Sequence, residues 1–218
     1  METYLVFIVS FTNFANFMRE KIIKKASELF LSIGFKTVTM EDLAHSMSIS
    51  KKTIYQYFEN KNQLISSCTE SLQKSITQNF RDLRENTNNP IIELFQIKKE
   101  VMKILGNTET APQFQLQKFY PEIYTELKNR ELDLVRDTIN ESLQKGMETG
   151  YFRKDINIDF ITRIYINGMR GVRDVDLFPL KEFKIEMVLE EFIEYHVRAI
   201  STKKGLDLLN RINNSLPR

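Results

Sequence analysis

The chain has 218 residues, 42% of them hydrophobic, and a formal net charge of +2 at neutral pH. That length and apolar content suffice for a sizeable core in one or two domains. Seven glycines and five prolines leave little material for a turn-rich sheet fold, two histidines leave little for a metal or catalytic centre, and the lone Cys68 rules out an intramolecular disulfide, as suits a reducing cytoplasm.

Residues 1–17, METYLVFIVSFTNFANF, are apolar but carry no Lys or Arg ahead of the apolar run and no small-x-small cleavage site, so they do not read as a signal peptide. Thr12, Asn13 and Asn16 make them too polar, and the stretch is too short, for a membrane span. They read as an N-terminal extension expected to pack as an arm on the first helix. That helix is predicted from about Phe17 to Ile33, with Ile22, Ala26, Leu29, Phe30 and Ile33 on its apolar face and Gly34 as its stop. Two short helices joined by a tight turn follow between Thr39 and Phe58. Thr39 is the N-cap of the first, Asp42 its capping-box partner, and Val38 with Leu43 a hydrophobic staple. Met40, Leu43, Ala44 and Met47 share one helical face, Ser48-Ile49-Ser50 interrupts it, and Ile54 and Phe58 continue an apolar face over residues 51–58.

Asn60, with Gln63 three residues on, caps a helix predicted from Lys61 to about Arg84, roughly 36 Å long at the usual rise. Cys68 falls on its apolar stripe with Ile65, Leu72, Ile76 and Phe80 and reads as a small buried hydrophobe. Further helices are predicted at Ile91–Leu105, Ala111–Phe119, Pro121–Thr149, Phe160–Val172, Lys181–Ser201 and Leu206–Ile212. Breaks are placed at Gly106–Thr108 and at YFRKDINID, where Asn157 or Asp159 caps the next helix. The fold class is therefore all-α.

One local rule is broken repeatedly. Lys51, Lys52 and Lys61 occupy first helical turns, where the helix dipole favours acidic residues. As isolated surface lysines they would each cost a few tenths of a kcal/mol. Together, around a helix-turn-helix spacing, they make sense if phosphates complete the site. Residues 18–65 hold eight Lys/Arg against five Asp/Glu, a local excess of +3, while residues 66–218 balance to zero.

From Arg19 to about Ile65 the sequence resembles the DNA-binding domain of the tetracycline-repressor (TetR) family. The resemblance is carried by the first helix ending in Gly34, the Thr39 cap, Ala44 at the helix contact, Tyr55-Gln56-Tyr57-Phe58, and Lys61 three residues beyond Phe58. Two positions depart from the family pattern: Ser48 stands where a turn glycine is usual, and Lys52 where a small residue is common. The resemblance implies a helix-turn-helix domain at residues 18–65, with Met18 as the natural start. It further implies a larger helical effector-binding and dimerisation domain at 66–218, and a ligand-responsive regulator, expected to be a repressor, that binds a palindromic DNA operator as a homodimer. Lys51 and Lys52 are then the candidates for base edges and Thr53 for a base or phosphate; Thr39, Ser50, Tyr55, Tyr57 and Lys61 match positions that hold the DNA backbone.

The helices around residues 160–172 and 181–201 show more apolar surface than one core needs, and the family pairs these helices between subunits. Ile161, Tyr165, Val188, Phe192 and His196 are the candidates for that interface, His196 as a packed residue rather than a pH switch. Phe95, Met102, Phe114, Phe119, Tyr120 and Tyr124 are the candidates for lining an effector cavity, for a small molecule the sequence does not name. No paired carboxylates, metal-spaced His/Cys cluster, nucleophile elbow or phosphate-binding glycine loop has a credible context, so no catalytic, metal or cofactor residue is assigned. The competing reading is a helical interaction protein of the same fold that does not bind DNA.

Overall fold

The computed structural model describes residues 2–106 and 111–215, with side chains described for residues 16–103 and 112–214. Among the described residues, ten helices follow in order: α1 (Glu2–Ser32), α2 (Met40–Ser46), α3 (Lys51–Tyr55), α4 (Lys61–Glu85), α5 (Pro90–Gly106), α6 (Ala111–Phe119), α7 (Pro121–Glu148), α8 (Ile158–Gly171), α9 (Ile185–Ile200) and α10 (Lys203–Ser215). Among the described residues the only strand-like feature is an isolated antiparallel bridge between Phe152 and Ser201. The extension continues α1 instead of forming an arm on it. No Gly or Pro lies between Glu2 and Ser32, so nothing in the sequence stops the helix. Gly106 closes α5, and the rest of the predicted break, residues 107 and 108, lies outside the described residues. Helix α9 starts at Ile185, four residues after the predicted Lys181, because the backbone N–H groups of Glu182 and Phe183 both turn back to the Pro179 carbonyl.

The chain divides into two units, Met1–Ile76 with Thr108–Asn129, and Thr77–Asn107 with Arg130–Arg218. In the first, Ile22, Ala26 and Phe30 of α1, Leu43 and Ala44 of α2, Ile54 of α3, Phe58, and Leu64, Ile65 and Cys68 of α4 form one buried core. Leu116 of α6 is buried in the same core, and Tyr120, Ile123, Tyr124 and Leu127 pack on it. Gly34 ends α1 at φ +112°, and a Cβ there would meet Gln115 Oε1 at 2.5 Å. That same oxygen accepts the Lys36 backbone N–H at 3.2 Å. Glycine is thus needed at residue 34 for its backbone angle, and a side chain there would also displace the end of Gln115. The Cys68 thiol donates to the Ile23 carbonyl at 3.6 Å, and burial pushes its pKa up to about 11, which makes it an inert core group.

The second unit is organised around α9, whose Val188, Leu189, Ile193, Val197 and Ile200 pack with Ile91, Leu94, Ile139, Leu143, Phe152 and Tyr165. Gly146 of α7 lets Phe152 lie against the helix, since a Cβ there would overlap the ring. Among the described residues one acidic side chain is fully buried. Glu93, in the first turn of α5, accepts from Arg84 Nε at 3.2 Å and from Lys145 Nζ at 3.3 Å. Lys145 also donates to the Thr87 carbonyl at 2.6 Å, and Arg84 pairs in addition with Glu141. The hub therefore ties the last turn of α4, the α4–α5 connection and α7 together.

Removing one member of such a hub leaves its partners uncompensated. Glu93→Ala is expected to lower stability by about 3 kcal/mol in urea unfolding, and Arg84→Met with Glu93→Met together by clearly less than the single change.

Candidate nucleic-acid interface

The helix-turn-helix is built from local chemistry. The Thr39 hydroxyl accepts the Asp42 N–H at 3.1 Å, and Asp42 Oδ2 accepts the Thr39 backbone N–H at 2.8 Å and its hydroxyl at 2.7 Å. This is a complete capping box, and the Thr39 N–H holds the Asp42 carboxyl below its usual pKa. The turn is closed by Ser48 at φ 54°, the left-handed conformation that the missing glycine would adopt more readily. Ser50 then caps α3, accepting the Thr53 N–H at 3.0 Å, and the two hydroxyls share a hydrogen bond of 2.8 Å. Asn60 accepts the Gln63 N–H at 2.9 Å at the start of α4, while the Gln63 side chain reaches back one residue further than expected, to the Glu59 N–H.

Helix α3 is shorter than predicted, with Gln56 as its C-cap, yet Ile54 and Phe58 are both buried because the Phe58 N–H still reaches the Ile54 carbonyl at 3.1 Å. At about 100° per residue, Lys51, Lys52, Tyr55 and Gln56 fall within an arc of about 140° that excludes Ile54. All four are exposed. The structure therefore gathers Lys51, Lys52 and Tyr55 on one outward face. Thr39 and Ser50 flank it at the two caps, exposed but with their hydroxyls already engaged, and Thr53 is half-buried beside Ser50. Tyr57 is half-buried against the core.

Lys61 is placed differently. Its ammonium donates to the Lys36 carbonyl at 3.3 Å and lies 5.8 Å from the Phe30 ring and 6.0 Å from the Tyr120 ring. Burial holds its pKa below the usual lysine value, against the opposing pull of Asp42. The sequence reading also missed Glu41, in the first turn of α2, which pairs with Lys51 at 3.6 Å. The ten residues between them cross the turn, and no spacing rule within one helix links them.

The remaining candidates separate. Phe95 and Met102 pack on the core of the second unit, Tyr120 and Tyr124 on that of the first, and Phe114 and Phe119 are exposed. These six share aromatic or thioether side chains and no common site: the fold distributes them over two cores and the surface. Of the five interface candidates, Tyr165, Val188 and His196 are buried in the protomer, and Ile161 and Phe192 pack on the same core. The outward apolar residues on these helices are instead Phe160 (57% exposed) and Ile164 (47%) on α8, and Met187 (61%) and Tyr195 (70%) on α9. The apolar periodicity located the helices correctly but could not say which side of each faces its own core. His196 lies edge-on to Tyr165 with ring centres 4.8 Å apart and beside Phe192, and burial pushes its pKa down to about 4.

Residues 22–68 match the family model described as bacterial regulatory proteins, tetR family. The chain is similar to the HTH-type transcriptional regulator YvaF of Bacillus subtilis, 26% identical over 197 residues that cover 87% of this chain and 99% of that protein. It is also similar to the HTH-type transcriptional repressor KstR2 of Mycobacterium tuberculosis, 23% identical over 154 residues, covering 68% of this chain and 76% of the repressor. A solved structure of a TetR-family transcriptional regulator from Cytophaga hutchinsonii shares the fold with a TM-score of 0.68 at 15% identity, over 87% of this chain and 97% of that one.

Burial of neutral His196 has a pH consequence. Its folded pKa, about 4, lies below the ordinary 6.5, so the unfolded chain binds the extra proton. Its contribution to stability is intact above about pH 6.5 and is lost as pH falls toward 4. Urea unfolding between pH 7.5 and 4.5 is expected to show a shallower loss for His196→Leu than for the parent chain, the gap between the two pH dependences approaching about 3 kcal/mol at the acid end.

Proposed function

The chain belongs to the tetR family of bacterial regulatory proteins, with its family-defining domain at residues 22–68, and from that premise we propose a cytoplasmic repressor that grips a palindromic DNA operator as a homodimer and leaves it when a small molecule binds. It is a helix-turn-helix regulator and not an enzyme. No described helix is long and apolar enough to cross a membrane.

The observation that carries the reading is the outward face of α3. Ile54 and Phe58 turn one side of the short helix into the core, and this leaves Lys51, Lys52 and Tyr55 exposed together, with the capping Thr39 and Ser50 beside them. Lysine ammonium groups can donate to guanine O6 and N7, and a phenol can hold a phosphate oxygen. A five-residue helix offers too few contacts for tight specific binding alone, which favours two copies in successive major grooves, about 34–36 Å apart. The surface through which copies would pair is the apolar stripe Phe160, Ile164, Met187 and Tyr195, spaced four and eight residues apart on α8 and α9. Gly168 supports it indirectly, since its missing side chain lets Phe192 pack tightly between the two helices. An effector that releases the operator must bind the DNA-free arrangement more tightly, by about 5.5 kcal/mol for a near-complete switch.

A gel shift with DNA from upstream of the protein's own gene tests the reading, with a retarded band that specific competitor removes as the expected result. Lys61→Ala is expected to weaken specific and random DNA alike and to lower the slope of log affinity against log salt by about 0.9. An unchanged slope assigns Lys61 to supporting the Lys36 carbonyl alone. Tyr195→Asp is expected to shift the protein from dimer to monomer in sedimentation analysis, with operator binding lost in parallel.

A further inference from the structure

The Lys51–Glu41 pair is unusual for a face meant to meet phosphates. The Glu41 side chain is 80% exposed, and among the described residues it pairs with Lys51 Nζ, 3.6 Å away. Asp42 next to it has a structural task, since its Oδ2 is committed to the Thr39 cap. Glu41 has none: α2 is already capped by the Thr39–Asp42 box, and an exposed ion pair of this kind adds little to stability. Beside a polyanion a spare carboxylate is a liability, unless a hydrogen-bond donor waits for it there.

Resting on the DNA-binding reading above, we propose that Glu41 and Lys51 together form the specificity determinant for a single G·C base pair in each half-site, Lys51 donating to guanine and Glu41 accepting from the paired cytosine. In the major groove a G·C pair presents the O6 and N7 acceptors of guanine and the N4 amino donor of cytosine. O6 and N4 are hydrogen-bonded to each other within the pair, so the acceptor and the donor lie about 3 Å apart. A donor and an acceptor tied together at 3.6 Å, one from the opening of α3 and one from the first turn of α2, complement that edge in both chemistry and spacing. The match is directional. With the base pair reversed, ammonium meets amino group and carboxylate meets carbonyl. A T·A pair keeps the polarity but gives Lys51 one acceptor, O4, and a methyl group in place of a second. The ion pair also holds the flexible lysine near its working position before DNA arrives, which lessens the ordering required on binding.

The test is selection of bound duplexes from a randomised pool by the full-length protein, comparing the parent chain with Glu41→Ala, Lys51→Ala and the double variant. Both side chains are exposed, so thermal melting should be unchanged in all three. The parent chain should enrich one G·C pair at symmetric positions of an inverted repeat. Each single variant should lose on the order of tenfold of the preference at that position and no other, and the double variant should lose no more than either single one. If Glu41→Ala returns the parent motif with a uniform gain in affinity for every sequence, Glu41 merely offsets charge and the proposal is overturned. If the parent chain enriches no sequence at all, the DNA-binding reading fails first, and this proposal with it.

Discussion

Helix α3 has five residues, far below the length at which a helix is stable in water by itself. It exists because Ile54 and Phe58 are buried and because Ser50 satisfies its first turn. The outward face follows from that anchorage: once Ile54 is fixed inward, Lys51, Lys52 and Tyr55 have no other place than the surface. The same anchorage brings Lys51 beside Glu41, since the core that holds Ile54 also holds Leu43 and Ala44 of α2. The outward face of α3 is thus a by-product of apolar packing behind it. Its charge is arranged by residues that carry none.

Much of this was legible in the sequence because it is local. The Thr39 and Ser50 caps, the stop at Gly34, the burial of Ile65 and Cys68 and the entry of α4 at Lys61 each depend on residues within about four positions of one another, the range over which helical chemistry acts, whereas Leu72, expected on the same stripe as Cys68, is exposed. Even the strain at Ser48 was foreseeable, since the turn needs a left-handed residue whichever side chain occupies it.

What sequence could not show depends on distant partners. Lys61 reads as an exposed cation until Lys36 and Tyr120 are placed beside it. Tyr165, Val188 and His196 read as interface residues because periodicity reports that a face is apolar and not what covers it, and their own core covers them. Glu93 reads as an ordinary first-turn acid, and nothing in its neighbourhood announces that Arg84 and Lys145, nine and fifty-two positions away, enclose it. The Glu41–Lys51 pair fails for the same reason on a smaller scale, its two members lying on different helices.

The bond from the Lys36 N–H to Gln115 Oε1 spans 79 residues. Together with buried Leu116 and the Tyr120 hydroxyl, which donates to the Phe35 carbonyl at 3.4 Å, it means that the turn leading into α2 is finished by chain synthesised long after it. Until α6 is synthesised, the Lys36 N–H and the Phe35 carbonyl lack these partners. The helix-turn-helix unit is therefore not a detachable cassette: grafted onto a foreign partner at the end of α4, it would lack the packing of Leu116 and the bonds from Gln115 and Tyr120.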